Sequence, residues 1–202
     1  VGRYLESIDG DFDALAVGRR LPRSMFTHQV SVPVVETVKA YQLQSDPRGS
    51  YGQQVRTEAL LDLYKQGTSA TPFAALLDNT VRAANNSAKA IQTAHKKYKS
   101  SITYPETKLG RGLRIVAEAI MGDLGVRVAH VRIKGFDTHA GQLPEHVDLL
   151  KNTADSMLAF YRDLQAHGKD RDVIMMTWSE FGRRAKENGS GGTDHGAAGP
   201  MF

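Results

Sequence analysis

The chain contains no cysteine. That absence excludes a disulfide scaffold, a thiolate metal site and a cysteine nucleophile. It does not fix the compartment, since cysteine-free proteins occur in both redox environments. No apolar run approaches the roughly 18 residues of a membrane span, and no stretch has the form of a signal peptide. Internal repeats and low-complexity segments are also missing. So is charge of one sign: 26 Lys and Arg stand against 22 Asp and Glu, a net +4 spread along the chain. Such a mild excess does not by itself imply nucleic acid. With 41% hydrophobic residues the chain is not a disordered one, and 202 residues suit a single domain with a real core. The first residue is Val1, and Gly199-Pro200-Met201-Phe202 turn apolar at the other end. The expectation is therefore an internal fragment of a longer domain, with part of any active site and of the core outside it.

Residues 1–52 show weak periodicity and are punctuated by Gly10, Gly18, Pro22, Pro33, Pro47, Gly49 and Gly52, which reads as mostly loop. Val30, Val32 and Val34 alternate around Pro33, which permits only a short edge strand. The middle is helical. A first helix over about 53–65 presents Leu60, Leu63 and Tyr64 and stops at Gly67. A second carries Phe73, Leu76, Leu77, Val81, Ala84, Ala88 and Ile91 on one face, with Thr71 as its cap and Pro72 at its first position. Its tail, Lys89, Lys96, Lys97 and Lys99, suits either an anionic partner or the dipole of a solvated last turn. The second reading is preferred, because Tyr98 is the lone aromatic nearby.

A third helix spans about 109–121, with Leu113, Val116, Ala117 and Ile120 on one stripe. Residues 126–133 then read as a strand. A fourth helix follows, with Leu143, Val147, Leu150, Ala154, Met157, Leu158, Tyr161 and Leu164 inward, and Gly168 closes it. The run Val173-Ile174-Met175-Met176 within 172–178 suits a buried parallel strand. Strand, helix, strand in this order is a right-handed crossover unit, which makes the fold class α/β.

In open α/β sheets ligands bind beyond the carboxyl ends of the strands. Asp137-Thr138-His139 follows the first of these strands, and Ser179-Glu180 follows the second. Thr193-Asp194-His195-Gly196 comes after a glycine-rich loop, 188–192, that can fold back over the same rim. Imidazole and carboxylate are the ligand set of zinc and of harder divalent ions. Asp137, Glu180 and Asp194 would repel one another if gathered without a cation, and a bound metal removes that penalty. Arg183 and Arg184 are placed to hold an anionic group such as phosphate or sulfate. Each residue also has a plainer reading. Asp137 can cap a turn, His139 and His195 can be loop histidines, and Glu180 can pair with Arg183 or Arg184 on the surface. It is the combination that favours a site. His146 lies on the apolar stripe and reads as a buried, hydrogen-bonded histidine that could support His139. His28, His95, His130 and His167 carry no pattern.

Three blocks, Gly135-Phe136-Asp137-Thr138-His139-Ala140-Gly141-Gln142, Ser179 to Arg184 and Glu187 to Gly196, resemble a large bacterial family, domain-of-unknown-function fifteen-oh-one. That family is placed in the alkaline phosphatase and sulfatase superfamily. Gly2-Arg3-Tyr4-Leu5, Leu21-Pro22 and 109–116 share the resemblance. It implies a sheet sandwiched by helices, with one or two divalent metals at the strand ends, zinc among the candidates. It also implies truncation at both ends, an export signal and nucleophile segment upstream of Val1, and a periplasmic or exported location. Under it, Asp137 and His139 resemble a metal-binding pair that relatives space more widely. His195 resembles a late histidine ligand, and Asp194 ligates or orients it. Glu180-Phe181 stands where relatives have Asp-His, so Glu180 can ligate and Phe181 cannot.

These features lead to a metal-dependent hydrolase of small anionic phosphate or sulfate esters, its nucleophile unnamed. The alternative is a binding or assembly protein that keeps the fold without turnover. An anion or nucleic-acid binder using Lys89 to Lys99 ranks last, and no nucleic-acid partner or membrane span is expected.

Overall fold

Short apolar runs form the sheet, and long amphipathic ones form the helices. The computed structural model describes the chain apart from residues 9, 11, 29, 43–51 and 67–71. Its elements are α1 (Gly2–Leu5), β1 (Ala14–Val17), a 3₁₀ turn (Arg23–Met25), β2 (Val34–Val35), α2 (Gln53–Gln66), α3 (Pro72–Lys97), α4 (Lys108–Met121), β3 (Val128–Val131), α5 (Gln142–Ala166), β4 (Gly182–Glu187) and β5 (Thr193–Gly196). The class is mixed α/β. The expected stop at Gly67, the cap at Thr71 and the punctuation at Pro47 and Gly49 lie outside the described residues, as does the side chain of Tyr64. Two compact units emerge, 1–99 with 118–131 and 100–117 with 132–202.

The first unit holds a parallel sheet in the order β2-β1-β3. Its central strand comes from the region read as loop, a correction with a clear cause. Ala14, Leu15 and Ala16 are all buried, so β1 shows no alternation, and alanine and leucine favour helix over strand. The edge strand forms one step later than the valine alternation suggests. Pro33 has no N–H to give, but its carbonyl accepts from Ala16 N–H at 3.0 Å. Pairing proper then begins at Val34. Leu5, Ala14, Ala16 and Met25 form the core of this unit, with Ile8, Leu21, Val32, Val34 and Val128 packed on it.

The helices fall where periodicity places them, but their buried faces differ. On α3, Ala88, Ile91 and Ala94 are buried while Phe73, Leu76 and Leu77 are exposed, so only the second half of the expected stripe is covered. His95, Lys96 and Lys97 occupy the last turn, where positive charge complements the helix dipole.

On α5, in the second unit, the buried residues are Ser156, Ala159, Phe160, Asp163 and Leu164. Leu143, Val147, Leu150, Leu158 and Tyr161 are exposed. Leu164 is buried as expected, but most of the expected inner face gives way to a neighbouring one whose polar members, Ser156 and Asp163, disguised it. Asp163 is fully buried. It accepts from Ser100 Oγ at 2.6 Å and from Tyr104 OH at 2.7 Å, and His167 Nδ1 lies 3.3 Å from its carboxylate.

The second expected strand does not form. Residues 172–178 carry no strand assignment, and Ile174 is 96% exposed, with Met176 and Trp178 also outward. Thr177 exchanges hydrogen bonds with Phe202 instead. An apolar run records suitability for burial, whereas a strand also needs a partner, and none pairs with this segment among the described residues. The crossover unit is therefore not completed. No described helix is long and apolar enough to cross a membrane.

Candidate metal centre

The glycine-rich stretch makes a hairpin. β4 and β5 pair antiparallel with Arg183 opposite His195 and Glu187 opposite Thr193. Asn188 N–H donates to Gly192 O at 2.8 Å, and Asn188 Oδ1 accepts from Ser190 N–H at 2.9 Å and Gly192 N–H at 3.1 Å. Gly191 sits at φ +70°, a conformation glycine adopts without strain. The loop that the sequence allows to fold back over the rim is thus a three-residue hairpin turn, 189–191, with glycine at its left-handed position.

This hairpin tip is stitched to the segment that carries Asp137 and His139. No side chain caps α5. Its first amides are satisfied by the loop instead: Gly141 N–H donates to Ser190 O and Gln142 N–H to Gly191 O, both at 2.9 Å. Thr193 Oγ1 donates to Gln142 Oε1 at 3.0 Å, and Gln142 Nε2 donates to Thr138 Oγ1 at 2.9 Å. The Arg183 guanidinium donates to the carbonyls of Thr193 and Phe136. A Cβ on Gly192 would stand 2.4 Å from His139 O. Gly192→Ala is therefore expected to destabilise the protein by about 1–3 kcal/mol and to weaken any ion held by His139, as read by thermal melts and metal titration.

The stitching gathers three donors. Asp137 Oδ1 lies 2.6 Å from His195 Nε2 and 3.1 Å from His139 Nε2. The two imidazole centroids are 4.9 Å apart, and one ligand atom from each of the three residues falls within 4.8 Å of the others. All three residues are exposed. A tetrahedral ion with bonds of ~2.0–2.1 Å separates neighbouring donors by about 3.3 Å. Asp137, His139 and His195 fit such an ion after small shifts, the two Asp137–imidazole distances widening toward that value.

The surroundings differ from ligand to ligand. Asp194 Oδ1 is 3.7 Å from the other nitrogen of His139, Nδ1. It accepts from Asn188 Nδ2 at 3.0 Å. That amide, with His139 and Arg184 helping against partial burial, holds the Asp194 carboxyl below the usual carboxylate range. Hydrogen bonds from His195 and then His139 do the same for Asp137. Phe181 stacks on the His195 ring at 4.3 Å and 14°, with the Arg183 guanidinium carbon 5.2 Å from the Phe181 centroid. Glu180 is not among the convergent donors, and its carboxylate lies 3.3 Å from Arg132 Nη2. The expected Glu180 pairing with Arg183 or Arg184 is thus replaced by one with Arg132. His146 is half-buried and meets Phe136 edge-on at 5.3 Å rather than supporting His139.

The family model for proteins of unknown function DUF1501 matches residues 13–202. The chain belongs to the DUF1501 family. Comparisons with curated proteins and with solved structures find no match. Asp137, His139, Asp194 and His195 all lie inside the DUF1501 match. Two further residues of this centre escaped the sequence reading. Asn188 was visible only as part of a turn, and Phe181 only as a missing ligand.

Stacking fixes the plane of the His195 ring. Phe181→Ala is accordingly expected to weaken zinc binding several-fold, and Phe181→Tyr to preserve it, by competition titration against a chromophoric chelator.

Proposed function

We propose that this DUF1501 chain holds one divalent cation on Asp137, His139 and His195, and that the centre serves hydrolysis of phosphate or sulfate esters. The observation that carries the reading is the convergence of Oδ1 of Asp137 with both Nε2 atoms. Two imidazoles and a carboxylate are a zinc-type set that leaves room for water or substrate. The resemblance to the alkaline phosphatase and sulfatase superfamily supplies the substrate class.

A bound cation would polarise an ester oxygen and lower the pKa of a coordinated water. The protein's own residues do the rest. Asp137 Oδ1, which sits between the two Nε2 atoms, would supply the carboxylate ligand beside them. Asp194 orients His139. Arg183 is committed to the frame by its two carbonyl partners, which leaves Arg184, electrostatically linked to Asp194, as the cation for an anionic ester group.

A second reading, a binding or assembly protein, is favoured by one observation. Phe181 covers His195 with an aromatic face where a further donor could stand, and Glu180 is held by Arg132.

The discriminating experiment measures tightly bound metal after dialysis. It then follows turnover of aryl phosphates and aryl sulfates with zinc, manganese and magnesium in turn. Metal-dependent turnover supports the hydrolase. Stoichiometric metal with no turnover of either ester selects the second reading. Protein that retains no metal contradicts the centre itself.

A further inference from the structure

We propose that Asn188 is the positioning residue of the metal centre: it sets Asp194 against Nδ1 of His139, so that Nε2 is the nitrogen presented to the ion. The inference rests on the reading of Asp137, His139 and His195 as ligands.

Every polar atom of the Asn188 side chain is used. Oδ1 faces two donors, the N–H groups of Ser190 and Gly192. Nδ2 faces two acceptors, His139 O and Asp194 Oδ1, both at 3.0 Å. Turning the amide over would set donors against donors and acceptors against acceptors, so the network fixes its orientation. Asn188 therefore holds His139 at two points. It grips the main chain directly, and it sets Asp194 facing the ring, with Oδ1 3.7 Å from Nδ1.

A metal-bound imidazole ordinarily donates its remaining N–H to a carboxylate or carbonyl. That partner fixes the tautomer and the ring's aim. Asp194 is placed for this role after a closure of about 0.5–1 Å. Without the Asn188 amide it would lose the neutral donor that anchors it. The residue type follows from the geometry. Aspartate at 188 keeps an oxygen for Ser190 and Gly192 but turns a second carboxylate oxygen toward Asp194 and the His139 carbonyl. Alanine loses both sets of bonds.

That difference supplies the test. Zinc affinity is measured by competition with a chromophoric chelator, and the visible bands of the cobalt-loaded protein report ligand geometry. The variants are Asn188→Ala, Asn188→Asp, Asp194→Ala and the double variant Asn188→Ala with Asp194→Ala. Asn188→Ala and Asp194→Ala are each expected to weaken zinc about 10-fold. Asn188→Asp should weaken it at least as much and shift the cobalt bands, while melting no lower than Asn188→Ala, because it retains the turn bonds to Ser190 and Gly192. The double variant should bind within about twofold of the worse single variant, since both act along one path.

Native affinity in Asn188→Asp would assign Asn188 to loop shape alone and overturn the proposal. Losses that multiply in the double variant would also overturn it. In both cases the centre stands if His139→Ala abolishes zinc uptake. Native protein that takes up no zinc removes the centre and this inference together.

Discussion

His139→Ala and His195→Ala are each expected to lower zinc affinity by more than about 100-fold, beyond the 10–100-fold typical of residues that merely orient a ligand. Each substitution removes one of three donors converging on a single point. Asp137→Ala should lose affinity comparably, because its Oδ1 is the atom nearest both imidazole nitrogens. Glu180→Ala should bind zinc like the native protein, since its carboxylate lies beside Arg132 and outside the cluster. The fold should tolerate these changes well, because Asp137, His139 and His195 are exposed.

Acid weakens the centre because ligands must shed protons to bind metal. The sign at Asp137 is definite. Its carboxyl is held below the ordinary value of ~3.9 by His195 and His139. Its charge is therefore fully present above that ordinary value and is lost only as pH falls through the lowered one. Without an ion, Asp137 thus keeps its charge in mild acid.

The largest stability effect is expected at Asp163. This carboxylate is fully buried on α5, and the hydroxyls of Ser100 and Tyr104 donate to its two oxygens. Asp163→Ala deprives both hydroxyls of this acceptor and leaves a gap at a fully buried position. Breaking a buried network from one side typically costs about 3 kcal/mol or more. Asp163→Asn keeps the volume and one acceptor oxygen, so it should cost less. Urea unfolding followed by far-UV circular dichroism checks both. An Asp163→Ala midpoint equal to that of the native protein would show that the network contributes nothing net.

Helix positions were legible because their signals are local. Pro72, the three- and four-residue steps of α3 and α5, and Gly168 mark the helices and their ends within one segment, though not which face is buried, as the exposed Phe73, Leu143 and Leu150 show. The strands were less so. β1 is a short alanine-leucine run whose strand state is imposed by β2 and β3. The run at 173–176 has the composition of a buried strand but no partner among the described residues.

The centre was legible as residue types. Asp137 and His139 stand two apart, and His195 follows a glycine-rich loop. Their meeting depends on the Asn188 turn and the amides of Gly141 and Gln142, which no spacing rule records. Glu180 shows the opposite case. Its position beyond an expected strand suggested a ligand; the strand does not form, and the carboxylate lies beside Arg132.

Zinc-edge X-ray absorption of the native protein loaded with one equivalent of zinc tests the centre most directly. Two imidazole shells and one carboxylate oxygen at ~2.0–2.2 Å, with imidazole scattering reduced in both His139→Ala and His195→Ala, are the expected result. A spectrum of oxygen neighbours alone, unchanged by either substitution, would contradict it.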